Sequence, residues 1–179
     1  MHTFLQSAIK QFEYYKSVGE RAMAQVPDDA LFWQHNPESN SIATIVKHLR
    51  GNMLSRWTDF LTTDGEKPWR EREAEFDNDI VTREELLAKW NEGWACLFAT
   101  LNTLNEGNWH TEVFIRNELH TVTDAINRQL AHYPYHVGQI VFIAKMAADS
   151  NWASLTIPRG KTQEFNAHKI AEEAGKKTT

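Results

Sequence analysis

The stretch from Thr121 to Ala148 constrains the fold of this chain more than any other. Its apolar residues recur with a helical period, Thr121 or Thr123 can cap its start, and it reads as one long helix. From Val137 to Ala147 it is apolar on nearly every side, so other elements must cover it, and it is expected to be the most buried helix of the chain. It also carries His132-Tyr-Pro-Tyr-His136 followed by Val-Gly-Gln139. Histidines four residues apart on a helix share a face at a spacing of about 6 Å, within reach of one metal ion. Gln129, Gln139, Ala125 and Ile143 fall on that same face. A polar group buried without a partner costs roughly 1–3 kcal/mol. A metal would supply that partner, and so would backbone or carboxylate hydrogen bonds; the HxxxH spacing alone is weakly specific. Pro134 removes one helical N–H and leaves the Leu130 carbonyl without its donor, which either re-aims the histidines or is a tolerated kink.

Three further segments show the helical period. The first, about Thr3 to Val26, ends at Pro27-Asp-Asp; the second is capped by Ser39 or Asn40 and runs to about Leu61 along Ile42, Val46, Leu49, Met53, Trp57 and Phe60. Gly51 within it is a mild helix cost that permits a close approach. The third opens at Thr82-Arg-Glu-Glu85, a capping-box pattern, and runs to about Asn105. Residues 62–81 lack a helical stripe and read as a long ordered excursion from the Asp64-Gly65 turn, with Pro68, Trp69 and Phe76 packing it down. Residues 111–120 read as a short hairpin turning at Arg116-Asn117. The pattern predicts an all-α, antiparallel four-helix bundle with a long loop between its second and third helices and a hairpin before the fourth. Residues 1–166 make one domain, and 167–179 a polar tail that is disordered or a loosely held helix.

Acidic and basic residues interleave to a net charge of -5, which argues against nucleic acid as a partner. No apolar run reaches membrane-spanning length, so no membrane partner is expected. The N-terminus lacks a signal-type core, and the single cysteine, Cys96, cannot form an internal disulfide; both point to a reducing cytoplasm. Cys96 lies off the Trp90/Trp94/Leu97/Phe98/Leu101 stripe and reads as a semi-exposed or interface residue.

A third metal ligand is sought in His48. It lies off the apolar stripe of the second helix, on a flank with Ile45, Asn52, Ser55 and Asp59. Pattern alone favours a solvated surface histidine, although a polar flank can line a cavity between two neighbouring helices. His2, His35, His110, His120 and His168 read as surface residues, with His120 able to face the site from the mouth of the fourth helix.

At Ile45-Val-Lys-His48-Leu and His132-x-x-x-His136-x-Gly-Gln139 the chain resembles the DinB/YfiT-like superfamily of bacterial metalloenzymes. Gly51-Asn-Met-Leu-Ser-Arg-Trp57-Thr-Asp-Phe, Asp64-Gly-Glu-Lys-Pro-Trp-Arg70 and Ile157-Pro-Arg-Gly160 resemble an uncharacterised branch of it. The resemblance spans roughly residues 1 to 166. It implies a four-helix bundle, a homodimer, and a divalent metal, zinc or nickel, held by His48, His132 and His136. Better-understood relatives transfer low-molecular-weight thiols, but their thiol-recognition residues have no match in this chain.

Three neutral imidazoles around a metal leave an open coordination position. Water bound there has its pKa lowered towards about 7, which serves hydrolysis; a bound thiol is held as thiolate, which serves transfer to an electrophile. No carboxylate stands beside the histidines as in HExxH, and Asp59 or Glu66 reach them only through folding. Thiol transfer to a small-molecule electrophile therefore ranks first. A non-catalytic, stress-related dimeric bundle that binds metal or ligand is the alternative, then a metal-dependent hydrolase, then plain core histidines. Asn52, Arg56, Gln139 and Tyr135 are the candidate substrate-binding residues, with Arg70 able to bind a substrate carboxylate; residue type alone favours packing for Asn52, Gln139 and Tyr135 and surface ion pairs for Arg56 and Arg70.

Overall fold

The computed structural model describes residues 4–176. It is mostly helical, with a small two-stranded sheet. The helices are α1 (Phe4–Met23), α2 (Asp28–Phe32), α3 (Ile42–Trp57), α4 (Arg83–Leu101), α5 (Val122–Ala148) and α6 (Thr162–Lys176); strands β1 (Glu112–Ile115) and β2 (Glu118–Thr121) precede α5. The long helices α1, α3, α4 and α5 pack α1 on α5, α5 on α3, α3 on α4 and α4 on α1. No helix among the described residues is long and apolar enough to cross a membrane.

The helix ends differ from the sequence reading by a few residues, each for a local reason. Ser41, not Ser39 or Asn40, caps α3 by accepting from the Thr44 N–H. α3 stops at Trp57 rather than Leu61, with Asp59 turning the chain at a φ of 49°. α4 is capped by Thr82, which accepts from the Glu85 N–H, and ends at Leu101 rather than Asn105. Thr121 caps α5 in a reciprocal box with Asp124. The hairpin turns where expected: Arg116 and Asn117 lie at φ 56° and 61°, the two left-handed positions of a type I′ turn. α2 was not anticipated, and the boundary expected at residue 166 falls inside α6, whose described side chains are exposed. His2 and residues 177–179 lie outside the described residues.

α5 is not the most buried helix. Nine of its 27 residues are buried against 12 of 16 in α3. Phe142 and Met146, in the segment apolar all round, remain 65% and 49% exposed. α3 is enclosed on both sides: its apolar stripe faces the core, and its polar flank is roofed by α5 and by residues 58–82.

The core centres on rings from three helices. Phe12 of α1 stands 6.4 Å from Trp94 of α4 and 5.8 Å from Tyr133 of α5. The Tyr133 hydroxyl accepts from Trp57 Nε1 at 2.9 Å and donates to Asn52 Oδ1 at 3.1 Å, so a buried polar chain joins α3 to α5. Of the residues expected to pin the excursion down, Phe76 is half-buried but Trp69 is 53% exposed. Gly65, Lys67, Glu75 and Ile80 are the buried ones. Cys96 is half-buried against α3, 3.8 Å from Thr58 Oγ1, and burial pushes its thiol pKa up.

Asp64 couples the excursion to the hairpin. Its carboxylate accepts from the backbone N–H groups of Glu66 (2.6 Å), Arg116 (2.9 Å) and Asn117 (2.7 Å), while Gly65 N–H donates to the Phe114 carbonyl at 2.7 Å. Its partial burial opposes the charge, but these amides outweigh it and hold the carboxyl below the usual range. Asp64→Ala is expected to cost about 1–3 kcal/mol in urea unfolding and to expose the Arg116 and Asn117 amides to fast hydrogen exchange. Unchanged exchange at both amides would remove Asp64 as the clasp.

Candidate metal centre

α3 and α5 bring His48, His132 and His136 together: each offers a ring nitrogen, and these atoms lie within 4.8 Å of one another. His132 Nε2 stands 3.4 Å from His48 Nε2 and 3.1 Å from His136 Nε2. His48 is 6% exposed, so the solvated reading that its helix pattern favoured is overturned. Its flank faces α5 and the excursion, not water.

Every Nδ1 atom of the three rings has an acceptor. His48 Nδ1–H donates to Glu75 Oε2 at 2.9 Å, His132 Nδ1–H to Gln129 Oε1 at 3.2 Å, and His136 Nδ1–H to Gln139 Oε1 at 2.8 Å. These bonds select the tautomer whose Nε2 carries the lone pair. Three lone pairs then converge on one point, an arrangement that repels itself unless a cation or proton lies between them. Burial, then the neighbouring His136 and His48, and then Arg56 and Arg70 push the His132 pKa down to about 3. Burial also lowers that of His136, partly opposed by its bond to Gln139. Neutral imidazoles with their outer nitrogens hydrogen-bonded are the donor set of a zinc-type site, so the residues fit a divalent ion.

Glu75 is a residue of the candidate site that the sequence pattern does not mark. It sits on a 3-10 turn (Glu73–Phe76) of the excursion with its side chain only 7% exposed. Arg70, itself 2% exposed, grips it at 2.6 Å (Nε to Oε1) and 2.9 Å (Nη2 to Oε2). Burial raises the pKa of this carboxyl, but the bonds from His48 and Arg70 outweigh that and hold it below the usual range. Arg70 is therefore not a surface ion-pair residue; it is part of the cleft wall, with its Nη1 3.7 Å from Glu66 Oε2 and without a hydrogen-bond partner. Gly51, one turn along α3 from His48, makes the approach possible, because a Cβ there would overlap the Glu75 carboxylate. Phe76 stacks on the His48 ring at 5.1 Å. The excursion has no periodicity to mark these residues; the glycine beside His48's helical turn was their one signal.

A cleft of about 360 Å³ opens over the histidines, and His48, Asn52, Arg56, Gln129, His132 and His136 are part of its wall. Asn52 is buried and engaged by Tyr133. Arg56 is also buried, with Nη1 donating to the Gly65 carbonyl and lying 3.3 Å from Glu66 Oε2. Gln139 stands behind His136 rather than in this cleft. Tyr135 is not brought to it either: 64% exposed, it lines a separate groove with Trp33, Phe142 and Met146 because α5 turns its side chain onto the next face. Asp59 is exposed, and Glu66 is bound to Arg56 and Arg116. His35, His110 and His168 are exposed, and His120 is half-buried outside the cleft wall.

The Gly51–Glu75 approach can be tested by contrast. Gly51→Ala is expected to destabilise the fold by about 1–3 kcal/mol through overpacking. Gly138→Ala has open space around the new methyl and should gain up to about 1 kcal/mol from helix propensity. Equal urea midpoints for the two variants would show that Glu75 does not need the gap.

No curated protein and no solved structure matches the chain. A family model described as "Protein of unknown function (DUF1572)" matches residues 1–161, and the chain belongs to that family.

Proposed function

We propose that this chain is a DinB-like four-helix bundle that holds a divalent ion, zinc or nickel, between His48, His132 and His136, and that it joins a low-molecular-weight thiol to a small electrophile. The observation that carries this reading is the convergence of three Nε2 atoms at the floor of an open cleft, with each Nδ1 already bonded to an acceptor. A bound ion supplies Lewis acidity, lowering the pKa of a thiol or water that joins it. Glu75, Gln129 and Gln139 hold the three rings in one tautomer and orientation, and their removal is expected to cost about 10–100-fold in metal affinity. Asn52 and Arg56 lie in the cleft wall, where they can orient what enters.

Transfer is favoured over hydrolysis by the cleft wall itself, to which the described residues contribute no carboxylate. Glu75, the nearest one, already accepts from His48 and Arg70 and is not free to take a proton from water. An incoming thiol needs no such base: its proton leaves through the mouth to solvent, its sulfur bonds to the electrophile, and the leaving group departs. A non-catalytic metal-binding role is the second reading, with the same three ligands. The open cleft favours the enzyme, because a purely structural zinc site is closed by four protein ligands.

Elemental analysis of untagged protein is expected to find about one zinc or nickel ion per chain, and less than about a tenth of that in His48→Ala. Chelation should lower the melting temperature of the wild type and leave that of His48→Ala unmoved. Wild-type protein without metal would sink the site, and equal metal in His48→Ala would remove His48 from it. With metal present, a panel of cysteine, glutathione and bacillithiol against chlorodinitrobenzene should show turnover that chelation abolishes; no turnover with any thiol would favour the non-catalytic reading.

A further inference from the structure

The cleft over the histidines is walled by arginine to an extent that metal binding does not require. Arg56, Arg70, Arg72, Arg116 and Arg128 all line it, five of the nine arginines in a chain whose net charge is -5. Among the described residues no lysine and no carboxylate lines it. The choice of guanidinium matters, because its planar fork matches carboxylate and phosphate oxygens in pairs, whereas an ammonium is a point charge.

The five fall into two layers. The side chains of Arg56 and Arg70 are buried and anchored by Glu66 and Glu75. Arg72, Arg116 and Arg128 come from three separate elements, the excursion, the hairpin turn and α5, and they are exposed at the mouth. Arg72 stands over the Phe76 ring at 5.2 Å, and Phe76 in turn stacks on His48. Arg116 is placed by the left-handed turn and steadied by Glu66 at 2.9 Å. Arg128 lies one helical turn before His132 and has no ion-pair or hydrogen-bond partner among the described residues.

This concentration of positive charge opposes binding of a cation in the middle of it. It is offset only in part: Glu73 pairs with Arg72 at 3.3 Å, and Glu66 and Glu75 are already shared among Arg56, Arg70, Arg116 and His48. A neutral substrate would leave the excess in place, and a cationic one would add to it. A nucleic-acid strand does not fit a recess of about 360 Å³.

We infer that the molecule taken up over His48, His132 and His136 is a small dianion, bearing carboxylate or phosphate groups that Arg72, Arg116 and Arg128 receive at the mouth. The inference rests on the proposed function for the site's purpose, but anion capture is a property of the arginines and does not need the ion. Arg128 and His132 are neighbours one helical turn apart on α5, so the anionic end is held on the same side of the cleft as the histidines.

Titration calorimetry with succinate, inorganic phosphate and uncharged succinamide tests it, on chelator-treated protein and on protein reloaded with zinc. Succinate or phosphate is expected to bind both forms, with affinity falling as sodium chloride is raised, and succinamide is expected not to bind. The exposed double variant Arg116→Ala/Arg128→Ala, checked for an unchanged melting curve, should bind the better anion at least about tenfold more weakly. The same double variant should keep its zinc stoichiometry. Succinamide binding as well as succinate, an unaffected double variant, or no anion binding to either form would each overturn the inference. Anion binding by a protein that takes up no zinc would leave it standing and overturn the metal reading instead.

Discussion

Glu75 is charged, buried, and held by two partners from two different elements, and the candidate site depends on that set being complete. A carboxylate taken out of water costs several kcal/mol unless its oxygens are fully bonded. Here Oε1 takes Arg70 Nε, and Oε2 takes both Arg70 Nη2 and His48 Nδ1. Each partner also needs the others: without Glu75, Arg70 would be a cation with 2% of its side chain exposed. The trio cannot be reached in parts, so residues 58–82 close over α3 as a unit. Gly51 sets the depth of that closure, because any side chain there would stand where the carboxylate sits.

The same closure explains what could and could not be seen in the amino-acid sequence. The periods of α1, α3, α4 and α5, the Arg116-Asn117 turn and the pairing of His132 with His136 are written locally, within one turn or one hairpin, and they were legible. His48 was not legible from its pattern, since a polar flank beside an apolar stripe ordinarily faces water. In α3 both sides are covered, the flank by a segment with no period of its own. Glu75 and Arg70 lie on that segment, and their pairing is fixed by tertiary contacts across α3. Resemblance supplied His48; for Glu75 the one local sign was Gly51, which marks a close approach without naming what approaches.

α5 shows the opposite error. An apolar run was read as burial, yet Phe142, Met146 and Tyr135 stand exposed beside Trp33. Hydrophobic residues on a helix report that a face is apolar, not which neighbour covers it. Among the described residues α1 and α3 pack most closely along α5, and the side that carries Tyr135, Phe142 and Met146 stays open where the pattern predicted enclosure.

Charge organises the centre in layers. Next to the three rings lie acceptors only: one carboxylate and two amide oxygens, which fix the lone pairs inward. Beyond them lie the arginines. Burial and the neighbouring His136 and His48 do most to hold the His132 pKa down, and Arg56 and Arg70 add to it. A neutral ring is what the proposed metal needs, yet the arginines also repel that metal's charge. Glu75 resolves part of that conflict from below, lending negative charge through His48 without occupying a coordination position. The remaining imbalance faces the cleft, where only an incoming ligand can meet it. Proposed ion and proposed dianion are therefore coupled through the same arginines, each lowering the electrostatic cost of the other.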